Sequence, residues 1–219
     1  MNRVTFIIDG FNLYHSVREA AKLLNSPTKW LNIKDLCSVY LGTISGIVSE
    51  KTTLESIYYF SAFAKHLLSV DPKVVVRHKK LIKCLEDSGI QVELSRFKSK
   101  EIRCPLKNNY CIKRFTKYEE KETDVAIAVK LFEVFHTDEC DTAIIVTGDT
   151  DMAPAIKTAH NIFTNKQILF AFPAFRKNKE LLQLAPGSFR INPKQYIKHQ
   201  FPDPYTLSNG DIINNPSTW

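Results

Sequence analysis

Eight residues, Ile144-Ile-Val-Thr-Gly-Asp-Thr-Asp151, constrain the fold more than any other stretch of the chain. Residues 143–146 are apolar without alternation, the pattern of a short strand buried on both faces, and such strands belong to parallel sheets covered by helices. The run stops at Gly148 and two carboxylates one residue apart, and Met152-Ala-Pro154 then opens a helical pattern. Proline is tolerated there because the first amides of a helix lack internal partners. Asp149 and Asp151 thus stand where a strand hands over to a helix, the place where open α/β sheets hold their ligands. Asp151 can also cap the helix containing Pro154, whereas Asp149 has no helix to cap.

The remaining pattern supplies the neighbours of such a strand. Arg3-Val-Thr-Phe-Ile-Ile8 reads as a strand ending at Asp9-Gly10, and residues 12–24 as a helix with Leu13, Val17, Ala20, Ala21 and Leu24 on one face. Ser26-Pro27 breaks that helix, and Asn32 caps a second carrying Leu36, Val39 and Tyr40. A polar stretch over residues 45–53 leads into a strand at 54–63, rich in β-branched and aromatic residues. Residues 73–88 place Val74, Val75, Leu81, Ile82 and Leu85 on one side of a helix, with Lys73, Arg77, Lys80 and Lys83 elsewhere. Residues 90–97 alternate as a half-buried strand, and 98–118, lacking a helical period, read as an extended basic loop or ribbon.

Residues 124–135 are apolar nearly all round, the mark of a buried helix, with Thr123 as its cap. After the central strand come a helix at 152–160, a strand at 167–172, a short helix at 176–184 and an edge strand at 189–191. From His199 the chain is rich in Pro, Asn and Ser, a tail that is ordered only if Phe201, Tyr205 or Trp219 docks. The alternation of strands and helices predicts an α/β domain over residues 1–198 with a mostly parallel central sheet flanked by helices, followed by a tail at 199–219.

Charge is informative once it is located. The 219 residues carry a net charge of +7, and residues 73–117 hold 13 Lys and Arg against four acids, a surplus of nine. Residues 1–198 as a whole also have a surplus of nine, 30 against 21, so the excess lies in one segment. Phe97, Tyr110, Phe115 and Tyr118 are interleaved with it, a mixture suited to a polyanion because phosphates pair with Lys and Arg while bases stack on aromatic faces. The chain contains five cysteines, an odd number that suits a reducing compartment. Cys104 and Cys111, with six residues between them, lack the spacing and the second pair of a zinc site and read as ordinary thiols. His78 falls on an apolar helix face and reads as a core residue, and no stretch resembles a membrane span or a secretory leader, so a cytoplasmic location is expected.

A parallel sheet points its strand ends one way, so Asp9, Asp149 and Asp151 emerge at a common edge. Asp124 joins them if its loop folds over that edge. Two accounts of Asp124 stand side by side: it complements the dipole at a helix start, worth ~0.3–1 kcal/mol, or it is a further acid taking part in chemistry. Clustered carboxylates are stable at neutral pH mainly when a cation sits among them or some are protonated. Oxygen-only ligands suit Mg²⁺ or Mn²⁺, and hard divalent ions on a few carboxylates are the usual apparatus for attacking phosphodiesters.

Phe6-Ile-Ile-Asp9-Gly-Phe-Asn12-Leu, Glu120-Lys-Glu-Thr-Asp124-Val and Thr147-Gly-Asp149-Thr-Asp151-Met, in that order, resemble the three signature blocks of the NYN domain in the LabA-like branch of the PIN-like nuclease superfamily. The likeness covers roughly residues 1–192. It implies a Rossmann-like, three-layer fold with a metal-dependent ribonuclease centre. Asp9, Asp124, Asp149 and Asp151 would then be the Mg²⁺- or Mn²⁺-binding set, and Asn12 and Thr147 polar supports. The family also implies single-stranded RNA as substrate. Arg77, Lys80, Arg96, Lys98, Arg103, Lys113 and Arg114 would hold it, with Phe97, Tyr110 and Phe115 available to stack. Two departures stand out: Glu122 occupies the place where relatives commonly have glycine, and Leu184-Ala185-Pro186 stands where they often keep an Ala-Asp pair. The competing class is a non-catalytic RNA-binding adaptor with the same fold. A nucleotide-binding domain is weaker, because neither a Gly-x-Gly-x-x-Gly nor a Walker-type loop is present. The oligomeric state, a homodimer included, is left open by the sequence.

Overall fold

The computed structural model describes residues 1–103 and 114–217. The first half of the chain forms β1 (Asn2–Asp9), α1 (Gly10–Leu24), α2 (Ile33–Val39), α3 (Leu41–Val48), β2 (Thr52–Ala62), α4 (Val74–Asp87) and β3 (Gln91–Arg103). The second half forms β4 (Arg114–Lys121), α5 (Thr123–His136), β5 (Thr142–Val146), α6 (Ala153–Ile162), β6 (Gln167–Phe172), α7 (Lys179–Leu184), β7 (Phe189–Arg190), α8 (Pro193–Lys198), β8 (Tyr205–Thr206) and β9 (Ile212–Ile213). Single 3-10 turns lie at Lys65–Leu67 and Thr150–Met152.

Seven strands make one sheet in the order β4-β3-β2-β1-β5-β6-β7, parallel throughout except for β4, which runs antiparallel to β3 at the edge. β1 is central because both of its faces are apolar. Phe6 and Ile8, with Ile144 and Val146 beside them on β5, face the layer of α1 to α4 and α8. Ile7, Ala143 and Ile145 face the opposite layer of α5, α6 and α7. This period-2 division between two buried faces is what an unbroken apolar strand requires. The chain winds from β1 to β2 and β3, then returns to β5 on the other side of β1. The crevice between β1 and β5 is therefore the topological switch point of the sheet, and both strands end there in carboxylates.

Several local expectations need correction. The polar stretch at 45–53 conceals the second half of α3, whose Ile44 and Val48 are buried. α1 begins at Gly10, two residues early, because Asp9 caps it by accepting from the Asn12 amide. Thr123 is not the cap of α5; it lies inside the first turn, behind Glu122, whose φ of 78° is left-handed. α5 is also not buried all round, since Val125 and Val129 are 67% and 59% exposed. Asp151 does not cap α6, whose start has no side-chain cap, and Asp149 caps the 3-10 turn instead. Among the described residues no helix is long and apolar enough to cross a membrane.

The ribbon expected at 98–118 is present at both of its described ends. β3 and β4 pair without a register shift from Arg96 opposite Lys121 to Arg103 opposite Arg114. Tyr110, Lys113, Cys104 and Cys111 lie outside the described residues. Beyond α8, Phe201 and Tyr205 dock: Phe201 is buried against Trp30 and meets Tyr205 edge to face.

Candidate active site

The carboxylates at the switch point share one cavity of about 490 Å³, lined by Asp9, Asn12, Glu120, Asp124, Asp149 and Arg176 together with Phe11, His15 and Thr123. Asp9 forms its floor. Its side chain is 6% exposed, and its two oxygens are held apart: Oδ1 accepts from the Asn12 amide at 2.8 Å, and Oδ2 accepts from Thr147 Oγ1 at 2.9 Å. Thr147 Oγ1 in turn accepts from the Asp149 amide at 3.2 Å. Asn12 Oδ1 accepts from the Gly148 amide, also at 3.2 Å. The ends of β1 and β5 are therefore locked to each other through two polar side chains, Thr147 and Asn12, both singled out from the sequence.

Two glycines make this closeness possible. A Cβ on Gly148 would stand 2.2 Å from the Arg176 carbonyl oxygen, and one on Gly10 would stand 2.5 Å from the Phe60 carbonyl oxygen. Each strand end is thus pressed against a neighbouring backbone that no larger residue would allow. Gly148 in particular brings the segment carrying Arg176 to the rim of the acidic site.

The electrostatics reflect crowding. Burial raises the Asp9 carboxyl to about 6, against hydrogen bonds from Asn12 and Thr147 that lower it, and the nearby charges of Asp124 and Glu120 push it further up. Asp124 is raised by burial and by the charges of Asp149 and Asp151. Glu120 is raised by burial and by Asp124, although its Oε1 accepts from Thr123 Oγ1 at 2.6 Å. Each of these groups would hold its charge more readily beside a cation. The donor set is oxygen only, which fits a hard ion such as Mg²⁺ or Mn²⁺. Among the described residues no three Asp, Glu, His or Cys side chains are placed to grip one ion between them. Mg²⁺ suits such a surface, because it keeps several of its own waters and needs only one or two carboxylates. Asp151 is exposed and does not line the cavity, acting on it through its charge on Asp124.

Arg176 and His15 were not singled out from the sequence, and Glu120 appeared there only as the first residue of the second signature block, without a role. Glu120 sits in the run Glu119-Glu120-Lys121-Glu122, which looks like a solvated charge cluster. Strand register supplies the missing signal, because Glu120 stands opposite Phe97 and alternation sends the two to the same side of the ribbon. Arg176 follows Pro173, which the sequence marks only as a strand terminator. Its guanidinium stands 3.9 Å from Glu19, and among the described residues its buried Nε has no hydrogen-bond partner.

The proposed strand-holding residues are not all brought together. Phe97, Arg103 and Arg114 fall on the ribbon face shared with Glu120, whereas Arg96, Lys98 and Phe115 alternate to the other face. Arg96 pairs with Glu122 at 2.6 Å and Lys98 with the same carboxylate at 3.6 Å. Arg77 and Lys80 belong to α4 rather than to the ribbon, and Arg77 is ion-paired with Asp71. His78 is a half-buried residue whose Nε2 lies 3.3 Å from Ser61 Oγ, in keeping with a packing role.

A family profile described as NYN domain matches residues 3–191. A curated relative, the 6-hydroxy-3-succinoylpyridine 3-monooxygenase HspA of Pseudomonas putida, is 27% identical over 177 residues, covering 71% of this chain and 54% of that protein. The chain thus spans about half the length of that relative. Among solved structures, a protein of unknown function from Vibrio parahaemolyticus superposes with a TM-score of 0.52 at 17% identity, over 87% of this chain and 93% of that one. This likeness is one of fold, a mostly parallel sheet flanked by helices.

Proposed function

The chain belongs to the NYN domain family, and from that premise we propose that it is a metal-dependent ribonuclease that hydrolyses phosphodiester bonds in single-stranded RNA. The observation that carries this reading is the cavity at the switch point, where Asp9, Asp124 and Glu120 are all raised in pKa, in part by one another's or Asp149's charge. One or two of Asp9, Asp124 and Asp149 would hold Mg²⁺ or Mn²⁺ directly, with water completing its shell and Asp151 adding negative charge from the rim. A bound ion of this kind supplies neutralisation of the phosphate charge and a water acidic enough to attack at neutral pH.

The protein's own groups prepare that chemistry. Thr147 and Asn12 fix the Asp9 carboxylate and the Gly148 amide, so the floor of the site is organised before a substrate arrives. Arg176 is, among the described residues, the one arginine in the acidic lining, and its guanidinium is a donor suited to a phosphate oxygen. Glu120, raised in pKa by burial and by the charge of Asp124 and hydrogen-bonded to Thr123, lines the cavity as a carboxyl that can give or take a proton. The basic ribbon would attract the remaining phosphates, with a strong dependence on salt.

The test is cleavage of end-labelled RNA by purified protein with Mn²⁺ or with EDTA. Wild type is expected to cleave only with Mn²⁺. Asp149→Asn and Asp9→Asn are each expected to lower the rate by at least about a hundredfold, since each removes charge from the ion's surroundings. Cleavage surviving both substitutions would sink the assignment. RNA binding insensitive to chelator and without cleavage would favour the adaptor reading.

A further inference from the structure

We propose that a second cavity, beside the acidic one, is a nucleobase-binding pocket that stacks one base of the RNA strand whose backbone lies in the acidic cavity. The proposal rests on the ribonuclease reading for the identity of the ligand. The pocket has a volume of about 430 Å³ and is lined by Phe63, Lys65, His66, Ser95, Arg96, Phe97 and Tyr118. It is built where the chain leaves β2 and passes under the β3–β4 ribbon.

Register explains why it lies next to the acids. Phe97 pairs with Glu120 and Ser99 with Tyr118, so alternation places Phe97, Tyr118 and Glu120 on one ribbon face. The face that delivers Glu120 to the acidic cavity therefore carries two aromatic rings immediately beside it.

The rings form a continuous line. Phe11 lines the acidic cavity, and its ring centroid is 6.2 Å from that of Phe97. Phe97 is 4.6 Å from His66, and His66 stacks on Tyr118 at 4.5 Å with the planes 11° apart. Tyr118 and Phe11 are 43% and 44% exposed, so both ends of the line present ring surface to solvent. Exposed rings beside a segment with a surplus of nine positive charges suit single strands, whose bases stack while their phosphates pair. His66 adds a polar edge: its Nδ1 is buried and, among the described residues, has no hydrogen-bond partner. Lys65, exposed at the pocket wall, offers a cation to the phosphate that accompanies the base.

The experiment is fluorescence anisotropy in EDTA with a labelled oligouridylate and a series in which one base at a time is replaced by an abasic site. For wild type, removing the base at one position is expected to weaken binding by roughly five- to 150-fold, the range of a single aromatic stack. In Phe97→Ala and Tyr118→Ala the intact oligonucleotide should bind more weakly, and the same abasic site should cause no further loss. Tyr118→Phe keeps the ring and should behave as wild type, which separates stacking from damage to the ribbon. Equal affinity for every abasic oligonucleotide, or the same abasic penalty in the alanine variants as in wild type, would overturn the pocket. Mn²⁺-dependent cleavage by wild type is scored in parallel. A base-dependent penalty without cleavage leaves the pocket standing and removes the ribonuclease, whereas cleavage without the penalty removes the pocket alone.

Discussion

Glu122 holds a backbone conformation that glycine adopts freely and a side chain does not, with φ at 78° and ψ at −18° just before α5. The resemblance to the NYN blocks implies glycine at this position, and a left-handed residue where the chain turns from β4 into α5 suits glycine. Here the strain is accepted alongside an ion pair, the Glu122 carboxylate holding Arg96 and Lys98 and itself lowered in pKa by the Arg96 hydrogen bond. Those two cations are thereby engaged before any phosphate arrives. Glu122→Gly is expected to raise the thermal midpoint by a few degrees through relief of strain. It should also tighten RNA binding several-fold and steepen the dependence of log affinity on log salt by about 1.4, as two freed cations meet phosphates of a single strand. Calorimetry and binding at several salt concentrations check both parts, and an unchanged salt slope would show that Arg96 and Lys98 do not meet the strand. The substitution was legible in the sequence, but its consequence was not, because a one-letter departure does not reveal a positive φ or a partner 26 residues away.

At the scale of elements, the parallel sheet and its acidic edge were readable because β1 and β5 are apolar on both faces and end in Asp9 and in Gly148-Asp149. α3 was not readable. Its Gly42, Thr43, Ser45 and Gly46 are poor helix formers, and the helix exists because Ile44 and Val48 are buried against the sheet, a tertiary gain that overrides local preference. The other ends of β1 and β5 are joined by a device that local pattern also could not show. Arg3 of β1 donates to Asp141, at the entry to β5, through its amide at 2.8 Å, Nε at 3.1 Å and Nη2 at 2.8 Å. The Arg3 side chain, first through its hydrogen bond, holds the Asp141 carboxyl down to about 2 from a usual 3.8. A depressed folded-state pKa stabilises the fold above the unfolded value and ceases to do so as pH falls through the folded one. The contribution is therefore complete at neutral pH and lost between about pH 4 and pH 2. With the carboxylate partly exposed, solvent screening reduces it to roughly 1–2 kcal/mol. Asp141→Asn should destabilise by that amount at pH 7 in urea unfolding, with the gap to wild type closing by pH 2. A gap that persisted in acid would mean that the arrangement acts through packing rather than charge.

At the scale of the whole molecule, the sheet supports two layers of helices, and α8 with the segment that follows it straps the α1–α4 layer from outside. Tyr196 is fully buried, its hydroxyl meeting Ser16 Oγ of α1 at 2.8 Å and accepting from the Ala174 amide at 3.0 Å. Ala174 lies two residues before Arg176, so the strap also steadies the segment that lines the acidic cavity. The chain then pairs with the approach to α2: His199 accepts from the Asn32 amide, and the Phe201 amide donates to the Trp30 carbonyl, both at 2.9 Å. Tyr205 reaches the end of α4, where its hydroxyl donates to Asp87 Oδ2 at 2.8 Å. Phe201 is the apolar anchor of this path, 4% exposed, with its ring 5.9 Å from Trp30 and 4.9 Å from Tyr205. Truncating a buried phenylalanine removes its transfer free energy and leaves a cavity, so Phe201→Ala is expected to cost about 3–5 kcal/mol in urea unfolding at pH 7. Phe201 does not line the acidic cavity, so the fraction that remains folded at low temperature should bind RNA as wild type does. A loss below about 1 kcal/mol would show that the strap lies on the surface without supporting it. Full stability with lost RNA binding would instead make the strap part of the substrate path, acting through Tyr196 and the segment that carries Arg176.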